Sequence, residues 1–166
     1  ARAGPKPDAI VVSVGGGGLL CGMAEGLRRQ GWGDVALVAM ETEGAASLHR
    51  SRLAGERIQL DAIESIATSL GAKQVCEAAF DLLSRWPVET ALVSDAQAIA
   101  ACTRFLDDHR VLVEPACGAA LAAADFGLPV LERYRTVLIV VCGGATATAA
   151  QLAEFERKLG AAQARP

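Results

Sequence analysis

The sequence Ser-Val-Gly-Gly-Gly-Gly-Leu-Leu-Cys-Gly, residues 13–22, decides the fold of this chain. It follows an apolar run at 8–12 that predicts a buried strand, and it precedes an amphipathic run to about Gln30 that predicts a helix. Four consecutive glycines lose much backbone entropy on folding and bury no side chain in return. Bare backbone between a strand and a helix is typical of a site where main-chain amides bind an anion. The stretch therefore predicts a phosphate-binding turn; the simpler alternative is a flexible or tightly packed turn.

The composition is that of a single globular domain. The chain has 166 residues, of which 52% are hydrophobic, so it can bury a sizeable core. A formal net charge of −3 argues against a general nucleic-acid binder and against a ligand of acidic membranes. We find no membrane-spanning run and no signal peptide. The sequence begins without methionine and almost at once enters a predicted strand, from which we expect a piece of a longer protein.

The five cysteines are dispersed along the chain. They form no Cys-Xaa-Xaa-Cys pair, and no histidine lies near them at the spacing of a zinc site. An odd and scattered set indicates reduced thiols in a cytosol rather than a disulfide framework. We therefore expect a cytoplasmic protein.

Residues 8–40 have the pattern of a βαβ unit. Apolar side chains recur at helical spacing between Leu19 and Leu27, and the run at 35–40 predicts a second buried strand. Two strands joined by one helix are expected to be parallel, with a right-handed crossover. Glu41 then follows the carboxyl end of a strand, where open α/β sheets bind ligands. The alternative is that Glu41 has no functional role and faces solvent, as acidic residues at strand ends commonly do.

The rest of the chain continues the alternation of helices and strands. Helices are predicted over 44–53, 74–85, 116–124, from a Ser94 or Asp95 cap through Leu106, and from a Thr146 or Thr148 cap to Leu159. Strands are predicted over 58–60, 89–93 and 137–141, whereas 63–70 fits either a helix or a loop. This order predicts an α/β fold with three αβα layers and a mostly parallel sheet.

The glycine spacing distinguishes between the common phosphate-binding motifs. A dinucleotide-binding fingerprint has the pattern Gly-Xaa-Gly-Xaa-Xaa-Gly. Gly15 and Gly17 match its first two glycines, but Leu20 occupies the position of the third, so the spacing does not match. Glu41 lies about where the ribose-binding acid of that fingerprint would be, which keeps this alternative open. A P-loop needs Lys-Ser or Lys-Thr after its last glycine, but Gly22 is followed by Met-Ala. The P-loop is excluded.

Five motifs, taken together, resemble a known family. They are residues 13–22, Met40-Glu41-Thr42 with Gly44-Ala45, Ser69-Leu70-Gly71, Val113-Glu114-Pro115-Ala116 and Val140-Val141-Cys142-Gly143-Gly144. In this order they resemble the L-serine dehydratases, pyridoxal-phosphate enzymes with the tryptophan-synthase-β fold, also called fold type II. The resemblance covers essentially the whole chain. It implies that residues 1–166 form most of the large, cofactor-binding domain.

The resemblance implies a site for pyridoxal 5'-phosphate and one for a monovalent cation, typically potassium. The phosphate would be bound by Gly15, Gly16, Gly17, Gly18 and Leu19. The cation would be surrounded by Glu41, the main-chain oxygens of Ala45, Leu70 and Ala72, and a contribution from Ser47. Oxygen ligands of this kind suit a hard cation.

Cys142 is expected to face the pyridine nitrogen of the cofactor by the same resemblance. A neutral partner does not keep that nitrogen protonated as an aspartate would, which favours loss of a β-substituent. Without the resemblance, a thiol at the end of a central strand is most often a small buried hydrophobe. Glu114 is a minor site candidate, and Cys21 and Cys117 are interpreted as packing residues.

The two histidines, His49 and His109, lie in polar helical surroundings and are expected to face solvent.

Two motifs of the family do not occur in this chain. L-serine dehydratases attach the cofactor to a lysine in a Ser-Xaa-Lys-Xaa-Arg-like context and hold the substrate with a Ser-Xaa-Gly-Asn-Xaa-Gly-like loop. Neither pattern is present, and Lys6, Lys73 and Lys158 all lack that context. We assign no catalytic residue to this chain, which matches the C-terminal half of the family and is expected to be inactive without the N-terminal half and its small domain. No C-terminal regulatory domain is expected.

The activity implied by the resemblance is β-elimination of L-serine and L-threonine, giving a 2-oxo acid (pyruvate from serine) and ammonia. A homodimer is implied, with an amino-acid substrate and neither nucleic acid nor membrane as partner. Two alternatives remain: a non-catalytic phosphate- or nucleotide-binding module, and a pseudoenzyme that keeps the dimer surface.

Overall fold

A four-stranded parallel sheet forms the centre of the computed structural model, which describes residues 4–163. Its strands are β1 (Ala9–Ser13), β2 (Ala36–Thr42), β3 (Val88–Val93) and β4 (Val137–Ile139). They lie in the order β3-β2-β1-β4, and every pair is parallel. In the register, Val11 of β1 is opposite Val38 on one side and Ile139 on the other. The carboxyl ends of β1 and β4 therefore meet at the same edge of the sheet.

Six α-helices flank the strands. They are α1 (Gly18–Arg29), α2 (Ser47–Ala54), α3 (Glu77–Arg85), α4 (Asp95–His109), α5 (Pro115–Asp125) and α6 (Ala149–Gln163). Short 3-10 helices occur at Glu43–Ala45, Thr68–Leu70 and Pro129–Leu131. Within the part of the chain that is described, no helix has the length and apolar character needed to cross a membrane.

Local sequence signals set several helix ends. Ser94 and Gln97 form a reciprocal capping box at the start of α4. Pro115 begins α5, where a missing N–H costs nothing, and Gly55 ends α2 with a φ of 72°. The Thr148 hydroxyl accepts a hydrogen bond from the Gln151 amide at the start of α6. Of the two predicted caps, Thr146 and Thr148, the observed one is therefore Thr148.

The helices form two layers, one on each face of the sheet. Ile10 and Val12 pack with residues of α1, α2 and α3, whereas Ala9 and Val11 pack with residues of α4, α5 and α6. Successive strand residues alternate between the two faces because the side-chain period of a strand is two. The predicted three-layer αβα architecture with a parallel sheet is confirmed.

Two predictions about elements are wrong. Residues 58–60 form no strand: the Ile58 amide donates to Ser51 Oγ and the Leu60 amide to the Lys73 carbonyl, so this segment pairs with a side chain and a loop. Strand β4 lies at the edge of the described sheet, so Cys142 does not follow a central strand.

Candidate functional site

The turn between β1 and α1 presents a row of free main-chain donors. None of the six amides from Gly15 to Leu20 has a hydrogen-bond acceptor within residues 4–163, and the first amide to bond within the helix is that of Cys21, 3.0 Å from the Gly17 carbonyl. Gly16, Gly18 and Leu19 are exposed. Unpaired amides at the positive end of a helix bind anions well. The turn therefore has the donor set of a phosphate site.

Two of the four glycines are required by close packing. Gly17 has a φ of 94°, and a Cβ on it would lie 2.4 Å from Ala79 Cβ. A Cβ on Gly15 would lie 2.9 Å from the Ser69 carbonyl oxygen. A Cβ on Gly16 would have its nearest neighbour at 3.9 Å, and one on Gly18 would meet nothing within 4 Å. The packed glycines hold the turn, and the open ones leave room beside the free amides.

A second glycine-containing turn, Cys142-Gly143-Gly144, follows β4 at the same edge of the sheet. The Val140 amide donates to the Val11 carbonyl at 2.9 Å, which carries the pairing with β1 one residue past β4. Ser13 Oγ at the end of β1 is 3.9 Å from Cys142 Sγ. Cys142 is exposed, so the interpretation as a small buried hydrophobe is wrong. The structure thus brings Cys142 beside the end of β1, where the glycine turn begins.

Polar groups from α5 hold this second turn. Cys117 Sγ lies 3.1 Å from both the amide nitrogen and the carbonyl oxygen of Gly143, accepting from the first and donating to the second. The Glu114 amide donates to the same carbonyl at 3.3 Å, and the Thr146 hydroxyl donates to the Glu114 carboxylate. Cys117 is buried, as expected for a packing residue, but it also fixes the residue next to Cys142. The sequence carries no signal for this contact, because the two cysteines are 25 residues apart and share no motif.

A small cavity opens between the starts of α5 and α6 and the 3-10 helix at Thr68–Leu70. It has a volume of ≈ 160 Å³, and its lining includes Thr68, Ser69, Glu114 and Thr146. Glu114, a minor candidate from the sequence, therefore contributes both to the second turn and to a cavity wall.

Glu41 is fully buried near the start of α2. It lies within β2 rather than past it, and its carboxylate accepts hydrogen bonds from the amides of Leu48 (2.9 Å) and His49 (2.7 Å). Burial raises the pKa of Glu41 to about 7, against the opposing effect of these amides. The alternative of a solvent-facing acid is wrong. With both oxygens engaged inside the protein, Glu41 also gives no support to the ribose-binding role of a dinucleotide site.

The other predicted cation ligands lie in two groups. Ser47, beside Glu41 at the start of α2, has a buried hydroxyl with no hydrogen-bond partner among the described residues. Leu70 and Ala72 adjoin the glycine turn, since a Cβ on Gly15 would be 3.1 Å from Leu70 Cα and one on Gly16 3.9 Å from Ala72 Cβ.

Ala45, the remaining predicted ligand, is fully buried in the 3-10 helix that follows β2.

The two histidines differ. His109 is exposed, as predicted. His49 is half-buried, with Nδ1 at 2.9 Å from Thr90 Oγ1, and burial lowers its pKa. The prediction that His49 faces solvent is wrong, because β3 brings Thr90 against the polar face of α2.

The three lysines are engaged away from the two turns. Lys6 pairs with Asp34, Lys158 pairs with Glu154, and Lys73 donates to the Asp61 carbonyl at 2.7 Å.

Comparison with known proteins gives a consistent result. A family model described as "Pyridoxal-phosphate dependent enzyme" matches residues 1–143. The human protein named L-serine dehydratase/L-threonine deaminase is 46% identical over 163 residues, which cover 93% of this chain and 50% of that protein. The L-serine dehydratase of Dictyostelium discoideum is 36% identical, with 93% and 45% covered. The crystal structure of an L-serine ammonia-lyase from the fungus Rhizomucor miehei superposes with a TM-score of 0.89 at 37% identity, covering 93% of this chain and 50% of that one. The chain spans about half the length of these relatives.

Proposed function

The chain belongs to the pyridoxal-phosphate dependent enzymes, and from that premise we propose that it is the C-terminal half of an L-serine and L-threonine ammonia-lyase. In this proposal residues 1–166 form most of the large, cofactor-binding domain. The lysine that attaches the cofactor and the small substrate domain belong to the N-terminal half. The names of the relatives and the fact that they are about twice as long support this assignment.

The observation that carries the proposal is the row of six amides from Gly15 to Leu20 at the start of α1, which have no acceptor within residues 4–163. A phosphate monoester offers several acceptor oxygens and a negative charge, and both suit free N–H groups at a helix N-terminus. The residues therefore fit the phosphate end of pyridoxal phosphate. In our assignment Gly15, Gly16, Gly17, Gly18 and Leu19 bind it.

Cys142 is assigned to the other end of the cofactor, at the pyridine nitrogen. Its exposure and its position beside Ser13, at the end of the neighbouring strand, support this role. A thiol is a weak donor and leaves the ring uncharged where an aspartate would hold a proton on it. When bound, the cofactor supplies an electron sink that stabilises negative charge at the α-carbon of the substrate. The role of this chain is to orient the ring between the glycine turn after β1 and the Cys142 thiol.

We assign a potassium ion to the space between Glu41, Ser47 and the main-chain oxygens of Ala45, Leu70 and Ala72. The buried Ser47 hydroxyl, which has no hydrogen-bond partner among the described residues, supports this, because a buried polar atom normally has one. A cation next to Glu41 would also offset the cost of burying its carboxylate. The ion would stiffen the loop that packs against Gly15.

We also propose that the longer enzyme is a cytoplasmic homodimer. Its partners would be an amino-acid substrate and, within the same molecule, the N-terminal half. The edge position of β4 and the exposure of Leu138 (51%) support the need for the N-terminal half, because an edge strand offers unpaired backbone to a further strand.

The first test is cofactor binding by the purified chain. Calorimetric titration with pyridoxal phosphate and with pyridoxal should give binding of the first and little binding of the second, because the turn binds the phosphate. Gly15→Ala should abolish the difference, whereas Gly22→Ala, whose Cβ meets nothing within 4 Å, should preserve it. Equal binding of both compounds, or tight binding of NAD in place of pyridoxal phosphate, would contradict the proposal.

The second test is catalysis. Borohydride reduction of the chain with pyridoxal phosphate should leave no cofactor attached to a lysine, and addition of the N-terminal half should restore pyruvate formation from serine. A full-length protein that binds the cofactor but releases no pyruvate or 2-oxobutyrate would refute the activity. Co-purification with an intact homologue in place of activity would favour a pseudoenzyme.

A further inference from the structure

Two thiols meet where α5 passes the turn after β4. Cys117 Sγ and Cys142 Sγ are 3.6 Å apart, with Cys117 fully buried and Cys142 exposed. A disulfide joins its sulfurs at about 2 Å, so bond formation needs a shift of only roughly 1.5 Å.

We propose that Cys117 and Cys142 form an oxidisable dithiol, which a hydroperoxide converts into a disulfide when the cofactor site is empty. This modification goes beyond the proposed activity. Its effect on the cofactor rests on the proposed function, because that function places Cys142 at the pyridine nitrogen.

The reaction takes two steps. The Cys142 sulfur attacks one oxygen of the hydroperoxide, an S–O bond forms as the O–O bond breaks, and water or an alcohol leaves. Cys117 Sγ then attacks the Cys142 sulfur, the S–S bond forms as the S–O bond breaks, and the hydroxyl leaves as water with the thiol proton of Cys117. The two thiols lose two electrons, and the hydroperoxide gains them.

The surroundings of the two sulfurs assign the order of these steps. Cys142 is accessible to an oxidant, whereas Cys117 is enclosed in α5 and hydrogen-bonded to Gly143. Burial also raises the pKa of the Cys117 thiol, which keeps it from reacting first. Because the amide and the carbonyl of Gly143 both hydrogen-bond to the Cys117 sulfur, that sulfur remains next to Cys142, the residue that it must attack.

The other three thiols are a buried control, Cys102, and a second thiol pair, Cys21 and Cys76. Cys102 is fully buried and donates to the Glu114 carbonyl at 3.3 Å. Cys21 and Cys76 lie close to each other on the other face of the sheet, near the glycine turn, and form a second thiol pair whose own oxidation must be removed from the test. A crosslink through any of these three cysteines would not be the proposed one.

The disulfide would change the candidate site in two ways. It would remove the thiol that faces the pyridine nitrogen, and it would tie the turn after β4 covalently to α5. An oxidised chain should therefore bind pyridoxal phosphate more weakly, and bound pyridoxal phosphate should shield Cys142.

The experiment is oxidation of the purified full chain, free of cofactor, with hydrogen peroxide, followed by alkylation and peptide mapping. In the double variant Cys21→Ala/Cys76→Ala, which lacks the second thiol pair, we expect the loss of two hydrogens from the intact mass and a linked pair of peptides containing Cys117 and Cys142. The wild type should form the same Cys117–Cys142 peptide pair at the same rate as this double variant. Cys142→Ser, at an exposed position that should not affect folding, should abolish the crosslink.

The outcomes separate this proposal from the proposed function. A wild-type chain that accumulates oxygenated Cys142 with Cys117 still alkylatable after unfolding, or a crosslink through Cys102, would overturn the dithiol. Repeating the oxidation with pyridoxal phosphate at ten times its Kd should slow crosslinking about tenfold, because only the free fraction reacts. A crosslink that forms at the same rate with bound cofactor would overturn the placement of the ring at Cys142 and leave the dithiol standing.

Discussion

The two glycine-containing turns at the carboxyl edge of the sheet are held by different forces. The turn after β1 follows a fully buried strand, and Gly17 packs against Ala79 and Val75. The turn after β4 follows a three-residue, partly exposed strand and depends on hydrogen bonds to Glu114 and Cys117. The first turn is held by packing, whereas the second combines close packing of Gly144 against Leu112 with polar contacts. A ligand lying between them would thus have one rigid end and one adjustable end.

This difference suggests a division of labour in the proposed enzyme. A phosphate needs several amides in fixed positions, since each contributes only modestly and all must converge. The partner of a ring nitrogen is a single thiol, which tolerates small movements. The rigid turn suits the anchor of the cofactor, and the adjustable turn suits the part where its electronics are tuned.

The largest expected effect is that of Gly17→Ala in the packed turn. An alanine would have to adopt a left-handed φ and place its Cβ 2.4 Å from that of Ala79, so we expect a loss of about 3 kcal/mol in the free energy of unfolding. Denaturant unfolding measures this. Gly22→Ala, in the same helix with open space around it, should gain up to about 1 kcal/mol. Equal stability of the two variants would mean that packing does not hold this turn.

The matching change in the second turn is Gly144→Ala. A Cβ there would lie 2.3 Å from the Leu112 carbonyl oxygen, so the partly exposed turn would have to shift. Because Gly144 lacks the left-handed φ of Gly17, we expect a smaller loss of about 2 kcal/mol. The movement should show as faster alkylation of Cys142. Gly33→Ala, whose Cβ would have its nearest neighbour at 3.9 Å, serves as the control. A loss as large as that of Gly17→Ala would remove the distinction between the turns.

The same distinction explains what could be predicted from the sequence. Four adjacent glycines between a strand and a helix are a local signal with a strong physical cost, so the first turn and its βαβ setting follow from residues close together in the chain. The contacts of Cys117 with Gly143 come from α5 and the turn after β4, and no local pattern joins them. His49 was mispredicted for the same reason, because Thr90 reaches it from a distant strand.

Glu41 represents an intermediate case. Its position near a strand end is visible in the sequence, and its burial is not. Its carboxylate is covered because α2 begins just beyond the strand and directs the amides of Leu48 and His49 at it. A charged residue gives no hydrophobic pattern, so only the path of the chain reveals that it lies inside.

A potassium ion should stabilise the surroundings of the first turn only. At ten times its Kd it should add about 1–1.5 kcal/mol to the free energy of unfolding, relative to tetramethylammonium at equal ionic strength. Hydrogen exchange should slow at the amides of Ser69 to Ala72 and remain unchanged at Gly143 and Gly144. Glu41→Gln should remove the response. Identical unfolding in both salts would contradict the cation site.

The smallest expected effect distinguishes the polar contacts of the second turn from simple capping. Thr146→Val removes the hydroxyl that donates to Glu114. Thr148→Val removes the hydroxyl that accepts from the Gln151 amide at the start of α6. Each variant should lower the free energy of unfolding by about 1 kcal/mol. Only Thr146→Val should speed hydrogen exchange at Gly143 and Gly144, because Glu114 bonds the Gly143 carbonyl as well as Thr146. Thr148→Val should affect α6 alone. If both variants loosen the turn equally, it is α6 as a whole that holds Cys142 in place, and Glu114 has no separate positioning role.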